Sequence, residues 1–206
     1  MFPTLGRLAR TLVRNSLPNC PRWAQSAAVT RDMKKLIPFL MAALALPALG
    51  ANFSVVPNWA KVPTGEKQIG SMHGDVAVSS KGEVYVSVQG GPKAGLQVYS
   101  AKGMYLRNVP KAPPDFHGFV IKKQADGEFI YGARLGGQNI LKLTLNGVVK
   151  LDIPPTTIPA KYKNGGRMRL TAMDVAPNGD LFVVDGYSSD RIHHLDQNGK
   201  YIKSFG

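Results

Sequence analysis

Ala172-Met173-Asp174-Val175, Asn178-Gly179, Leu181-Phe182-Val183-Val184, then Arg191-Ile192-His193-His194-Leu195, Asn198-Gly199 and Tyr201-Ile202 form four short apolar runs hinged at two turn dipeptides. Runs this short, rich in β-branched and aromatic residues and bounded by turn residues, read as strands. An Asn-Gly pair between two such runs marks a tight hairpin, because the turn demands a positive φ that glycine supplies without steric cost. The same order occurs twice upstream. Residues 75–106 give Asp75-Val76-Ala77-Val78, Lys81-Gly82, Val84-Tyr85-Val86, Leu96-Gln97-Val98-Tyr99, Lys102-Gly103 and Tyr105-Leu106. Residues 118–149 give Gly118-Phe119-Val120-Ile121, Asp126-Gly127, Phe129-Ile130-Tyr131, Ile140-Leu141-Lys142-Leu143, Asn146-Gly147 and Val148-Val149. The two turn glycines of each unit stand 21, 20 and 20 residues apart.

Four short antiparallel strands repeating every 40 to 50 residues or so describe the blades of a β-propeller. The reading is therefore all-β, with three four-stranded antiparallel blades over about residues 73–110, 117–153 and 170–206. No sustained 3.6-residue period occurs after residue 50, so almost no helix is expected. One blade cannot bury both of its faces, and propellers close with roughly four to eight. Three blades would form an open arc, so the reading expects further blades beyond Gly206 and a partial propeller over residues 51–206.

Composition narrows the function. The 206 residues hold a single cysteine, Cys20, ahead of the repeats, which excludes a disulfide framework within them. The net charge of +13 is uneven. Residues 1–50 carry Arg7, Arg10, Arg14, Arg22, Arg31, Lys34 and Lys35 against Asp32 alone, which leaves +7 dispersed over residues 51–206. A solvated basic surface accounts for that excess, and RNA binding through a basic face conflicts with export. From Met33, two lysines, the apolar run Leu36–Leu46 and the small residues Ala48 and Gly50 make the three parts of a secretory signal peptide. The run is shorter than the roughly 20 residues a membrane span needs. Residues 33–50 are thus read as a signal cleaved after Gly50, a retained anchor being the alternative. Residues 1–32, arginine-rich and nearly free of acids, read as a disordered leader from a start placed too early, or as a mitochondrial presequence. The expected location is periplasmic or secreted.

The stretch Gly179-Asp180-Leu181-Phe182-Val183-Val184-Asp185-Gly186-Tyr187-Ser188-Ser189-Asp190-Arg191-Ile192 resembles the NHL repeat. It is similar in particular to the lyase domain of the peptidylglycine alpha-amidating enzymes. Asp185-Gly186-Tyr187, Arg191-Ile192, Gly199-Lys200-Tyr201-Ile202-Lys203-Ser204-Phe205-Gly206 and the lead-in Val56-Pro57-Asn58-Trp59-Ala60-Lys61-Val62-Pro63 carry the resemblance. It covers residues 52–206, about half of a six-bladed ring. It implies an NHL-type β-propeller that cleaves peptidyl-alpha-hydroxyglycine to a peptide amide and glyoxylate, with zinc held by histidines and calcium on the ring axis. It also implies a peptide or small-molecule ligand at the channel mouth and a full-length monomer, without nucleic acid and without membrane after signal cleavage. Tyr187 falls on the family's active-site tyrosine and His117 on a zinc-ligand histidine, while Val76 and Phe119 fall where backbone carbonyls reach calcium. Arg191 is the candidate substrate-binding arginine. Two positions depart: Gln89-Gly90 stands where the family carries arginine before glycine, and Ser188 replaces a cysteine. Glutamine lacks the charged fork that an arginine offers a carboxylate.

Each candidate also has a plainer reading. His117 opens an innermost strand, where neutral imidazole suits zinc, but one histidine is not a site. Tyr187 would otherwise cap its blade, and Arg191 would be structural. Asp185 suits hydrogen bonds to its own loop. His73 falls one position earlier than His117 relative to its strand and reads as a loop residue. His193 and His194 point to opposite faces of one strand and read as surface or packing residues. Arg167 and Arg169 read as solubilising charge or as an anion contact. A non-catalytic propeller that binds protein, peptide or carbohydrate is the competing function.

Overall fold

The computed structural model describes residues 53–206, and the folded unit runs from Val55 to Gly206. The leader and signal segments of the sequence reading lie outside the described residues. Twelve strands form three four-stranded antiparallel sheets, each a meander in chain order. The first blade comprises β1 (Val76–Val78), β2 (Val84–Val88), β3 (Gly95–Tyr99) and β4 (Tyr105–Asn108). The second comprises β5 (Phe116–Gln124), β6 (Gly127–Arg134), β7 (Ile140–Thr144) and β8 (Val149–Ile153). The third comprises β9 (Ala172–Val175), β10 (Leu181–Asp185), β11 (Arg191–Leu195) and β12 (Tyr201–Phe205). The only described helical segments are two 3-10 turns, Pro155–Thr157 and Ala160–Tyr162, between β8 and β9. This is the blade architecture of a β-propeller, as the repeats predict.

All six turn glycines, Gly82, Gly103, Gly127, Gly147, Gly179 and Gly199, have positive φ, which is why those dipeptides punctuate the sequence. Strand alternation then sends successive side chains to opposite faces of each blade. Tyr85, Leu96 and Val98 of the first blade pack against Phe116, Phe119, Ile130 and Leu143 of the second. Phe129, Tyr131 and Ile140 leave the opposite face of the second blade to meet Met173, Leu181, Val183 and Leu195 of the third. The far face of the first blade, with Val86, Val88 and Tyr99, is covered by Trp59 and Ile69 of the lead-in.

The outer hairpin turns perform a second task. A Cβ at Gly147 would strike the carbonyl of Pro110, in the connection between the first two blades, and one at Gly103 would strike the carbonyl of Trp59. Each glycine leaves room for a strand-free segment to cross its turn. The lead-in thus lies on the first blade as the later connection lies on the second. Two bonds fix it there: Lys61 N–H to the Gly103 carbonyl (2.8 Å) and the Trp59 indole N–H to the Ala101 carbonyl (3.3 Å).

Candidate functional site

Each meander leaves its first strand with one unpaired edge, and these strands lie side by side in the order β1, β5, β9. Hydrogen bonding alternates along an antiparallel ladder, so every second residue directs its backbone groups away from its own blade. In β1 the Ser87 N–H donates to the Asp75 carbonyl (3.2 Å), so Val76 is a residue whose backbone faces the free edge. Phe119 is its counterpart in β5, and its N–H donates across to Asp75 Oδ2 of the first blade (3.3 Å). Met173 holds the same place in β9, a position the sequence reading did not single out. The backbones of Val76 and Phe119 therefore face the free edges of their blades.

His117 stands two residues ahead of Phe119, where the β5–β6 ladder slips by one residue between Phe116 and Gly118. Such a bulge re-aims the side chain it carries. Gly118 follows, and a Cβ there would lie 2.5 Å from both Ala172 Cα and the Thr171 carbonyl. Glycine thus lets β5 approach the start of β9 closely enough for His117 Nδ1 to reach the Thr171 oxygen at 2.8 Å. A carbonyl only accepts, so in the neutral ring Nδ1 carries the proton and Nε2 the lone pair. That Nε2 is buried and has no hydrogen-bond partner among the described residues.

Two further rings stand edge-on to His117, with centroids 5.0 Å away for His73 and 5.2 Å away for Tyr187. His73 lies in irregular chain before β1, as its offset predicts, yet it belongs to the site. Its backbone carbonyl accepts a 2.8 Å hydrogen bond from the Gln89 side-chain amide. His73, Asp75, His117 and Thr171 border a recess of about 280 Å³. A larger groove of about 950 Å³ lies at the other end of β5, around the Lys122–Asp174 ion pair (2.7 Å). Among the described residues, His117, His193 and His194 each keep one buried ring nitrogen without a hydrogen-bond partner, and of the three only His117 borders a recess.

Tyr187 is 56% exposed, on a loop tied down from beneath. Asp185 is fully buried and accepts from the Arg169 N–H (2.6 Å) and the Ser189 hydroxyl (2.7 Å), the turn role its sequence context suggests. The Ser188 hydroxyl donates to the Arg167 carbonyl (3.1 Å), so a hydrogen bond to the segment before β9 occupies that position. Arg191 donates to the Gly206 carbonyl (2.8 Å) and lies 5.5 Å over the Tyr162 ring, contacts separate from the His117 group. His193 is buried against Ser204 (2.7 Å), and His194 pairs with Asp180 (2.8 Å) while stacking on Phe182, so the two rings do part to opposite faces.

No protein-family model matches the chain, and no curated protein sequence matches it. Among solved structures, it is similar to virginiamycin B lyase from Staphylococcus aureus at 19% identity and a TM-score of 0.46, over 68% of this chain and 42% of that one. It is also similar to a protein of unknown function from Bacteroides caccae at 17% identity and a TM-score of 0.41, over 63% and 44%. The chain spans less than half the length of either.

For the zinc ion that the sequence resemblance implies, His117 is one prepared donor. An imidazole whose second nitrogen is held by a backbone carbonyl has the arrangement typical of a metal-bound histidine. Among the described residues, no group of three or more His, Cys, Asp or Glu side chains converges on one point. The residues present therefore fit a partial zinc site built on His117. The sequence missed His73, and the available signal was the repeated dipeptide His73-Gly74 and His117-Gly118.

Proposed function

We propose that this chain contributes three blades to an extracytoplasmic, six-bladed NHL-type propeller related to the peptidyl-alpha-hydroxyglycine alpha-amidating lyases, exported through residues 33–50. In this reading His117 holds zinc, the carbonyls of Val76 and Phe119 face calcium, and Tyr187 acts on substrate at the channel mouth. The observation that carries the reading is the buried, unpartnered Nε2 of His117, aimed by the Thr171 carbonyl. Zinc, when bound, supplies Lewis acidity to an oxygen of the substrate. Tyr187, beside His117, takes the proton of the α-hydroxyl as the C–N bond breaks. Tyr187 passes that proton on to the amide nitrogen, which leaves as the peptide amide while the carbon departs as glyoxylate. Arg191 is tied to the Gly206 carbonyl and lies over the Tyr162 ring, apart from His117, so its part in this reading is structural.

Gln89 supports the second reading, a propeller that binds peptide, protein or carbohydrate without cleaving it. Its amide is engaged by the His73 carbonyl and offers a substrate carboxylate no positive charge. Incubation of purified protein with a peptidyl-α-hydroxyglycine separates the two. The lyase reading expects bound zinc, glyoxylate release, and a loss of rate of about a hundredfold or more in Tyr187→Phe. Zinc-free protein that releases no glyoxylate leaves only the binding role. Mass spectrometry of exported protein should find Ala51 at the amino terminus, and an intact Met33 segment would contradict the signal assignment.

A further inference from the structure

We infer that His73 and His117 together form a two-imidazole site for a divalent ion of the first transition row, an inference that rests on the metal reading of His117 above. The two histidines reach the site differently. His117 comes from a bulge in β5 and is locked by the Thr171 carbonyl, with Nε2 left open. His73 comes from the segment ahead of β1, held through its backbone by Gln89, and its ring has no hydrogen-bond partner among the described residues.

Their spacing suits a shared ion. Two imidazoles bound to one tetrahedral ion through nitrogens about 2.0–2.1 Å away place their ring centres roughly 5 Å apart. The observed centroid separation is 5.0 Å, with the planes at 82°. Both residues border the same recess, through which water or an oxygen of a ligand would reach an ion held by the pair. Imidazole pairs favour zinc, cobalt, nickel and copper over magnesium or calcium. Gln89 acquires a purpose in this arrangement: it positions the chain that carries the second imidazole.

Titration of the metal-free protein with Co²⁺ alone tests the pair, read by visible absorption. One equivalent is expected to bind, with affinity reduced about tenfold or more in both His73→Ala and His117→Ala. If His117→Ala weakens binding and His73→Ala does not, the pair is overturned while zinc at His117 survives. If the parent binds no cobalt, or neither variant changes its affinity, both readings fall. A third pattern, in which only His73→Ala matters, also overturns the pair. Pulsed electron paramagnetic resonance of Cu²⁺-loaded parent protein counts coupled imidazoles without any substitution. Two are expected, and a single one rejects the pair.

Discussion

His193 is fully buried inside the third blade, with Nδ1 against the Ser204 hydroxyl, which in turn lies 3.0 Å from the Tyr201 hydroxyl. Burial lowers its pKa below the ordinary 6.5, with Arg191 and Lys163 adding to the effect and Asp185 opposing it. In the unfolded chain it takes up a proton near pH 6.5, but in the folded chain only at a lower pH. Its contribution is therefore complete above about pH 6.5 and is lost as the pH falls through the folded value. Urea unfolding at pH 7.5 and pH 5 should show His193→Gln losing less stability on acidification than the parent. Equal losses would remove His193 from the pH response. Its separation from His194 was legible, because strand alternation alone places adjacent residues on opposite faces. The meeting of His73 with His117 was not. Counting along strands places His73 one position out, and bulge geometry rather than residue spacing decides where a ring at a ladder slip points.

At the level of elements, the approach of β5 to β9 rests on Gly118. Gly118→Ala should destabilise the protein by about 1–3 kcal/mol, because the new Cβ meets backbone that must shift. The same shift carries Thr171 away from His117, so the His117 ring should lose its fixed tautomer, visible in its ¹⁵N chemical shifts. A variant with parent-like stability and shifts would show that the two strands part without cost. Hairpins were the most readable elements, since each of the six turn glycines marks a positive φ. What the dipeptides did not disclose is that Gly103 and Gly147 also make way for a crossing chain, since that depends on segments distant in sequence.

For the whole molecule, each blade adds to its own pairing the layers it shares with its neighbours, as in repeat proteins that couple nearest neighbours. Phe116 belongs to the layer between the first and second blades and Leu181 to that between the second and third, and both are fully buried. Phe116→Ala should cost about 3–5 kcal/mol and Leu181→Ala about 2–5 kcal/mol, measured by urea unfolding. Costs below about 1 kcal/mol would mean that the layers close around the lost side chains. The lead-in crossing at Gly103 makes the first blade optically distinct. Trp59 and Trp23 are the chain's two tryptophans, and Trp59 is the one within the folded unit. Its indole rests 6.3 Å from the Tyr99 ring. In protein carrying Trp23→Phe, fluorescence follows the seating of the lead-in on the first blade, while circular dichroism follows all three sheets. A molecule whose blades come apart one at a time would declare itself by the disagreement between those two signals.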